Sequence, residues 1–349
     1  MKAAKVNSQG RLELTNVQIP RIGPGEILVK MRVCGICGTD LEKLHGVRVT
    51  PPILGHEVAG DVEEAGDEAG GYSKGDRVVV HHHVPCMTCI YCKHGDHTMC
   101  ADFPKSNLDP CGFAEYFRVP RTNVSKGAVF HIPTGMTYEE AALSEPTGTC
   151  IRALRKLAVL PGDDLVVIGA GPAGLTHIQL LRAMGAGRIF AADIVESRLA
   201  WARRLGADAV FNAAAENAQN LILGETEGRG VDKVIVSSAS SKAIESSLQL
   251  VRKGGRILLF GIPSEGSYVN MDMSYVFIRE ISLIPSYSTT EAEIEAALQM
   301  MASKKIRISE MITHRFELAN IADAFRAAED AASSLKVMVH GQILDVNVQ

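Results

Sequence analysis

The chain has 349 residues, of which 46% are apolar and 22% are charged, and its formal net charge is −4. This composition is typical of a folded protein of about two domains and excludes a disordered chain. A nucleic-acid-binding protein would normally show a basic excess or a basic cluster, and neither occurs here. No apolar run reaches the roughly 18 residues of a membrane span, and residues 1–7 lack a signal-peptide core, so we expect a cytoplasmic protein.

The first 150 residues contain short β-rich runs separated by turn residues. The clearest runs are 26–33, 75–80 and 114–119, each with glycine, proline or aspartate at or near one end. Many short strands at this spacing predict a partly open barrel rather than a helical bundle.

From about residue 161, strands alternate with helices. Strands are predicted over 164–169, 188–193, 233–236 and 256–260. Between them, one predicted helix ends at about residue 184, and two others cover 196–205 and 242–252. This alternation predicts a doubly wound parallel sheet. The chain then turns helical, with predicted helices over 291–303 and 319–332 before a last strand over 335–339.

A glycine-rich turn follows the first strand of the alternating region. The segment Gly169-Ala170-Gly171-Pro172-Ala173-Gly174 fits Gly-x-Gly-x-x-Gly, whose glycines permit a tight turn, a close approach to a pyrophosphate and helix–strand packing. Asp193 ends the second strand, where a carboxylate can bind ribose hydroxyls and repel a 2′-phosphate. The turn therefore predicts dinucleotide binding, with NAD favoured over NADP, although Arg198 close by keeps NADP open. The predicted cofactor-binding residues are Gly169, Gly171, Pro172, Ala173, Gly174, Asp193 and Arg198.

Four of the eight cysteines crowd into one segment. Cys86, Cys89, Cys92 and Cys100 have the spacing of a structural zinc site, in which four thiolates close a tetrahedron and leave no position for substrate. Lys93 is the only lysine or arginine in that segment, which argues against a nucleic-acid-binding zinc ribbon. We therefore predict a structural zinc ion there.

A second group of residues of metal-ligand type would leave one coordination position of the metal free. Cys37 is followed by Gly55-His56-Glu57, so a cysteine, a histidine and a carboxylate could hold a catalytic zinc ion with a free position for water or an alcohol.

These motifs together resemble one family. Cys37-Gly38-Thr39-Asp40, Gly55-His56-Glu57, the four cysteines, Lys74-Gly75-Asp76-Arg77-Val78 and the Gly169 turn occur in the order found in zinc-dependent medium-chain alcohol dehydrogenases. The resemblance covers essentially the whole chain. Ser144-Glu145-Pro146 resembles the polyol (sorbitol-like) and L-threonine dehydrogenase branch, in which Glu-Pro stands where liver-type enzymes carry a cysteine ligand.

The resemblance implies a site and a mechanism. It implies a catalytic zinc ion held by Cys37 and His56, with Glu57 and Glu145 as direct or water-mediated ligands. Zinc would lower the pKa of the substrate hydroxyl, Thr39 would accept its proton, and the nicotinamide would take the hydride. Some relatives end this proton relay with a histidine five residues after the ligand cysteine. Glu42 stands there instead, so the end of the relay is open among Glu42, His45 and water.

The resemblance also implies an architecture. It implies a GroES-like, partly open β-barrel catalytic domain over 1–152 and 290–349 and a Rossmann dinucleotide-binding domain over 153–289. The active site would lie in the cleft, and the chain would be a homo-oligomer, a tetramer or a dimer.

A run of three histidines, His81-His82-His83, precedes the cysteines. The resemblance places this run near the substrate pocket, where one of the three could hydrogen-bond a polar substrate. Because alternate residues of a strand face opposite sides, at most His81 and His83 share a face.

The expected function is NAD-dependent oxidation of a secondary alcohol in a polyol, sugar or related polar molecule. An L-threonine 3-dehydrogenase would use the same chemistry on an amino acid, with Arg152 as a candidate for its carboxylate. A non-catalytic NAD(P)-binding protein of the same fold is a further alternative, and a zinc-dependent nucleic-acid module is disfavoured by the net charge.

Overall fold

A computed structural model of the chain describes residues 1–7, 11–45, 54–215 and 217–341. The chain divides into two compact units. Unit 1 consists of Met1–Gly148 and Thr289–Gln349, and unit 2 is the continuous segment Thr149–Ser288. Residues 342–349, at the end of the predicted catalytic domain, lie outside the described residues.

The described residues form β-strands that are, in chain order, β1 (Lys2–Val6), β2 (Leu12–Asn16), β3 (Ile27–Gly35), β4 (Glu57–Ala65), β5 (Arg77–Val80), β6 (Tyr116–Val119), β7 (Val129–His131), β8 (Leu165–Ile168), β9 (Ile189–Asp193), β10 (Ala209–Asn212), β11 (Val231–Val236), β12 (Val251–Leu259), β13 (Ser282–Pro285), β14 (Ile312–Glu317) and β15 (Lys336–His340). The α-helices are α1 (Gly38–Leu44), α2 (Ile90–Lys93), α3 (Arg121–Ser125), α4 (Tyr138–Ala142), α5 (Ser144–Leu157), α6 (Pro172–Ala183), α7 (Glu196–Arg204), α8 (Ala218–Glu225), α9 (Ser241–Leu250), α10 (Met273–Ile278), α11 (Glu291–Ala302) and α12 (Ile321–Glu329). Short 3₁₀-helices cover His97–Met99, Phe103–Lys105, Ile308–Met311 and Leu318–Asn320.

Unit 1 is built around a seven-stranded sheet. Its strand order is β14-β15-β3-β4-β5-β7, and β6 adds to the N-terminal half of β3 while β15 pairs with its C-terminal end. Every pair is antiparallel except β14–β15. Because β3 is buried along most of its length, it anchors the unit's core, to which Phe113, Phe117 and Phe325 contribute large fully buried side chains.

Unit 2 is a six-stranded parallel sheet. Its strand order is β10-β9-β8-β11-β12-β13, so the direction of strand succession reverses between β8 and β11. All four residues of β8 are buried, which is typical of a parallel strand covered on both faces. Ligands of such sheets bind beyond the carboxyl ends of the strands at the reversal, and the Gly169 turn lies there.

The structure confirms the predicted alternation in unit 2 and corrects its detail. The helix predicted over 242–252 is α9, which ends at Leu250, and the strand predicted from 256 begins at Val251. Val251 has an extended backbone and pairs with Val231 of β11, ahead of a register shift in β11. Gly254 and Gly255, which follow this pairing, hid the early start of the strand.

Among the residues that the structure describes, no helix is long and apolar enough to cross a membrane.

Candidate active site

Cys37, His56 and Glu57 converge in unit 1 and are called the first triad here. One ligand atom of each residue lies within 4.8 Å of the other two. Cys37 is the N-cap residue of helix α1, and Glu57 is the first residue of strand β4. Although the residues are separated in sequence, the start of a helix and the start of a strand therefore bring a thiol, an imidazole and a carboxylate together.

Asp40 holds the first triad together. Its Oδ2 accepts a hydrogen bond from the Cys37 amide at 3.0 Å, and its Oδ1 accepts one from the Gly55 amide at 2.9 Å. His56 Nδ1 lies 3.5 Å from Asp40 Oδ1. Burial opposes a charged imidazole, but the Asp40 carboxylate and Cys37 outweigh it, so the pKa of His56 lies well above its usual value. A carboxylate on Nδ1 is the arrangement that orients a histidine to bind a metal through Nε2.

Glu57 is held by Lys336, the first residue of β15. The Lys336 ammonium forms an ion pair with the Glu57 carboxylate and donates a hydrogen bond to the Ile36 carbonyl at 3.0 Å. A Cβ atom on Gly35 would lie 2.2 Å from Glu57 Oε2, so only glycine leaves room for this carboxylate. Burial lowers the pKa of Lys336, but Glu57 and Cys37 outweigh burial and raise it, so the lysine stays charged.

His81, His82 and Glu145 form a second group and are called the second triad here. Their ligand atoms also lie within 4.8 Å of one another, and all three side chains are buried. Glu145 is the second residue of helix α5. The His82 ring lies 5.0 Å, centroid to centroid, from the His56 ring, so the two triads adjoin. The structure thus groups Glu145 with His81 and His82 and not with the first triad. Burial raises the pKa of the Glu145 carboxyl.

The histidine run follows the end of strand β5 at Val80, so the expected strand alternation, with His81 and His83 alone on one face, does not hold. His82 meets His81 in the second triad, and its ring centroid lies 3.9 Å from that of His83, while the rings of His81 and His83 lie 6.2 and 5.2 Å from Phe103. His83 Nδ1 hydrogen-bonds the Ser106 carbonyl at 2.7 Å, and burial lowers the pKa of His83 to about 4.

The residues proposed for the proton relay lie on helix α1 or, in the case of His45, directly after it. Thr39 is half-buried in its first turn, two residues after Cys37. His45 follows the end of the helix, and its Nε2 lies 2.8 Å from Glu329 Oε1 while its side chain is 61% exposed. Glu42 has a buried Oε2 atom.

The four clustered cysteines form a separate site, the cysteine lobe. Their sulfur atoms all lie within 4.8 Å, with Cys92 Sγ at 3.9 Å from Cys86 Sγ and 3.5 Å from Cys89 Sγ. Hydrogen bonds from the Thr88 hydroxyl and from the amides of Thr88 and Cys89 lower the pKa of the Cys86 thiol to about 5. Zinc–sulfur bonds of about 2.3 Å in a tetrahedron place sulfur atoms about 3.8 Å apart. Because the observed separations match, the lobe fits a structural zinc ion, with Cys100 as its fourth member.

The first triad also fits zinc. Its donors are a thiol, an imidazole and a carboxylate, which are the ligand types that zinc takes at catalytic sites. Glu57 Oε1 is buried and has no hydrogen-bond partner in the described part of the chain, as expected of an oxygen placed to bind a cation.

The glycine-rich turn of unit 2 has the geometry expected of a dinucleotide site. Gly169 has φ +96°, and helix α6 begins at Pro172 with Gly171 as its N-cap residue. A Cβ atom on Gly174 would lie 1.8 Å from the Gly169 carbonyl oxygen, so helix and turn meet too closely for any side chain there. Ala173 continues the first turn of α6, whose N-terminal amides are available to an anion.

Asp193 lies at the end of β9, beside this turn. Its Oδ2 accepts a hydrogen bond from the Ala170 amide at 2.6 Å, and its Oδ1 accepts one from the Val195 amide at 2.9 Å. A Cβ atom on Gly171 would lie 3.6 Å from Arg198 Nη1, so the guanidinium of Arg198 lies next to the turn as well. The turn therefore carries both a carboxylate and a cation.

Comparison with known proteins identifies the family. Residues 23–132 match the family model described as the alcohol dehydrogenase GroES-like domain, and residues 172–303 match the model described as zinc-binding dehydrogenase. Sorbitol dehydrogenase of Bacillus subtilis (strain 168) is 31% identical over 351 residues, covering 97% of this chain and 97% of that protein. The chain belongs to the zinc-binding alcohol dehydrogenase family and is an oxidoreductase. The predicted fold class, a GroES-like domain with a Rossmann domain, is confirmed.

Two further known proteins are similar to this chain over most of its length. L-threonine 3-dehydrogenase of Pyrococcus furiosus (strain ATCC 43587 / DSM 3638 / JCM 8422 / Vc1) is 34% identical over 317 residues, covering 87% of this chain and 88% of that protein. The solved structure of a zinc-binding dehydrogenase from Sinorhizobium meliloti 1021 bound to NADP superposes with a TM-score of 0.89 at 29% identity, covering 97% of this chain and 98% of that one. The resemblance to the polyol and threonine dehydrogenase branch is thus confirmed.

Sequence reasoning missed the residues that support the first triad. Asp40 carried a local signal, because an acid three residues after an N-cap residue can reach back to the N-cap amide. Lys336 carried no local sequence signal, because its ion pair with Glu57 joins distant parts of the chain.

Proposed function

We propose that this chain is a zinc-dependent, NAD-linked dehydrogenase that oxidises a secondary alcohol group of a polyol, a sugar or a related polar molecule. The observation that carries this proposal is the first triad, a half-buried thiol with a buried imidazole and a buried carboxylate, and the carboxylate and imidazoles of the second triad lie beside it. A site with this many polar groups suits a substrate with several hydroxyls. The sorbitol dehydrogenase relative supports the same substrate class.

Two zinc ions are part of the proposal. Cys37 and His56 would hold the catalytic ion, with Glu57 and Glu145 as direct or water-mediated ligands, and Cys86, Cys89, Cys92 and Cys100 would hold the structural one. When bound, the catalytic zinc ion would polarise the substrate hydroxyl and stabilise negative charge on its oxygen, while the nicotinamide accepts the hydride.

The chain's own residues prepare this step. Asp40 orients His56, and Lys336 neutralises Glu57, so both side chains keep fixed positions in a buried site. The Thr39 hydroxyl is assigned as acceptor of the substrate proton. Beyond it, Glu42, His45 and water remain alternative ends of the relay; the pairing of His45 with Glu329 favours one of the others.

The cofactor is proposed to be NAD. The Asp193 carboxylate beside the glycine-rich turn would repel a 2′-phosphate and hydrogen-bond ribose hydroxyls. Gly169, Gly171, Pro172, Ala173 and Gly174 would receive the pyrophosphate. Arg198 and the NADP-bound relative favour NADP instead, so the test must include both NAD and NADP.

A second candidate is L-threonine 3-dehydrogenase, which the Pyrococcus relative favours. It uses the same zinc chemistry but needs a cation for the substrate carboxylate. The catalytic domain over 1–152 and 290–349, the dinucleotide-binding domain over 153–289, a homo-oligomeric state and a cytoplasmic location remain predictions.

The deciding experiment is NADH or NADPH formation by zinc-loaded protein with polyols, sugars, simple alcohols and L-threonine. We expect turnover of polyols with NAD and weaker turnover of simple primary alcohols. Turnover confined to L-threonine would replace the first candidate by the second. Binding of neither dinucleotide would contradict both.

A further inference from the structure

We propose that the cysteine lobe is an oxidant-reactive modification site, in which Cys89 is the thiolate attacked first and Cys92 closes a disulfide with it. This inference rests on the structural zinc ion of the proposed function and concerns a reaction separate from alcohol oxidation. The co-reactant is a peroxide, for which hydrogen peroxide is the probe. Cys89 and Cys92 have Cys-x-x-Cys spacing, which is also that of the reactive pair in disulfide oxidoreductases.

Access from solvent divides the four cysteines of the lobe into two pairs. Cys92 and Cys100 are only 7% and 2% exposed, whereas Cys86 and Cys89 are half-buried. Ile90, which follows Cys89 at the start of helix α2, is 63% exposed, so the start of this helix faces solvent. A small oxidant therefore reaches Cys86 and Cys89 before it reaches the other two.

Hydrogen bonds then distinguish Cys86 from Cys89. Cys86 Sγ accepts three of them, from the Thr88 amide at 3.4 Å, the Thr88 hydroxyl at 3.5 Å and the Cys89 amide at 3.2 Å. Cys89 is the N-cap residue of helix α2, yet its side chain makes no capping hydrogen bond to this helix, which lies wholly within the described ranges.

This difference ranks the two half-buried thiolates. All four cysteines are deprotonated when they bind zinc, so the fraction of thiolate does not separate them. A hydrogen bond to a thiolate stabilises its negative charge, and a more stabilised thiolate is a weaker nucleophile. Cys89 is therefore more reactive than Cys86.

Cys92 is placed to complete the reaction. Its Sγ atom lies 3.5 Å from Cys89 Sγ and 3.9 Å from Cys86 Sγ. A disulfide bond is about 2.05 Å long, so the sulfur atoms of Cys89 and Cys92 need to approach each other by roughly 1.5 Å. An accessible first cysteine and a buried second one thus stand three residues apart.

The reaction has two steps. The Cys89 thiolate attacks one oxygen of hydrogen peroxide, the O–O bond breaks, and a sulfenic acid and a hydroxide form. The Cys92 thiolate then attacks the Cys89 sulfur and expels the sulfenic oxygen as a second hydroxide, which leaves a disulfide. The two cysteines lose two electrons in total, the peroxide gains them, and two protons from solvent convert both hydroxides to water. The lobe loses two of its four zinc ligands and can no longer hold the ion.

The first test is oxidation of the zinc-loaded full chain, as wild type and as Cys37→Ser, which removes the half-buried thiol of the first triad. Zinc per chain is measured, hydrogen peroxide is added in steps, and released zinc is followed with a chromogenic chelator. Remaining thiols are blocked, and the chain is digested with trypsin and chymotrypsin. Chymotrypsin cleaves after Tyr91, so a disulfide between Cys89 and Cys92 joins two peptides in the mass spectrum. In Cys37→Ser we expect one zinc ion released for each such disulfide.

The second test is the order of labelling by a limiting amount of N-ethylmaleimide, without oxidant. We expect Cys89 to be labelled about threefold faster than Cys86 or more. Thr88→Val removes one hydrogen bond from Cys86 Sγ, so it should raise the labelling rate of Cys86 about threefold and leave that of Cys89 unchanged. The buried thiols outside both metal sites are internal controls that should stay unlabelled: Cys34, Cys111 and Cys150.

Labelling of Cys86 ahead of Cys89 would overturn the proposal, and so would a disulfide between any other pair or retention of zinc under peroxide. Thr88→Val with unchanged labelling of Cys86 would remove the hydrogen-bond argument. A lobe that holds no zinc before oxidation would overturn the structural zinc ion together with this inference. No readout depends on a substrate, so the inference can fail in a chain that oxidises polyols.

Discussion

The Lys336 ammonium and the Glu57 carboxylate form an ion pair in which the two side chains are only 5% and 0% exposed. Both charges are desolvated, so each depends on the other, and Glu57 is also a member of the first triad. The pair therefore ties the C-terminal strand of unit 1 to the candidate metal centre.

Replacing Lys336 should be costly. Lys336→Met leaves the buried Glu57 carboxylate uncompensated, and we expect the free energy of unfolding to fall by about 3–5 kcal/mol. Urea denaturation followed by circular dichroism measures this. Lys304→Met is the control, because Lys304 pairs with Glu140 at the surface and should cost no more than about 1 kcal/mol. Equal costs for the two variants would contradict the buried pair's role.

The two cysteine sites should separate stability from activity. Cys89→Ser removes a ligand from the cysteine lobe, and we expect the thermal midpoint to fall by more than about 5 °C because the lobe loses its metal. Cys37→Ser should leave the midpoint nearly unchanged but reduce turnover about 100-fold or more. Calorimetry and NADH formation on both variants make the comparison. Full turnover by Cys37→Ser would refute the catalytic assignment.

Asp193 should set the choice between dinucleotides. Asp193→Ala removes the carboxylate that would face a 2′-phosphate, so the ratio of kcat/KM with NAD to that with NADP should fall about tenfold or more. Arg198→Ala should move the ratio the other way. Glu196→Ala is the control, since Glu196 is an exposed acid at the start of helix α7. An unchanged ratio in Asp193→Ala would show that this carboxylate does not discriminate.

His177 should make unit 2 sensitive to acid. Burial lowers its pKa to about 3, against about 6.5 in an unfolded chain. Between these values the unfolded chain binds a proton that the folded chain does not, so stability falls as the pH drops from about 6.5 to about 3. The slope due to this group reaches up to about 1.4 kcal/mol per pH unit.

His177→Gln should remove that contribution, because glutamine does not titrate and can still reach Ser237, whose hydroxyl lies 3.2 Å from His177 Nδ1. Fluorescence of Trp201, the single tryptophan and a residue of unit 2, follows the unfolding of this unit. His94→Gln, at an exposed position of unit 1, should keep the wild-type pH dependence. If His177→Gln also keeps the wild-type pH dependence of stability, His177 is not the group that causes it.

Local patterns predicted the parts of the molecule that local physics determines. The apolar run of β8, the glycines at 169, 171 and 174 and the spacing of the four cysteines each report on a few neighbouring residues, and the structure places each where the pattern indicated. The hairpin of β1 and β2 was missed because its strands alternate only weakly between buried and exposed residues.

Contacts between distant segments could not be predicted in the same way. His81 meets Glu291 across 210 residues, and nothing near either residue specifies the other. Glu145 entered the predicted site only through family resemblance, and the structure shows why, since a helix start far along the chain carries it to the histidine run.

The pairing of Lys336 with the Ile36 carbonyl, 300 residues away, also has a consequence for synthesis. Chains grow from the N-terminus at about 5–20 residues per second, so β3 and β4 leave the ribosome long before β15 exists. During that interval Glu57 has no Lys336 to neutralise it, and β3 lacks its neighbour β15. Unit 2, whose residues are continuous, is synthesised in full before unit 1 is complete. A ribosome that stops short of residue 336 therefore releases a chain with one finished unit and one open sheet, which makes it a ready substrate for quality-control proteases.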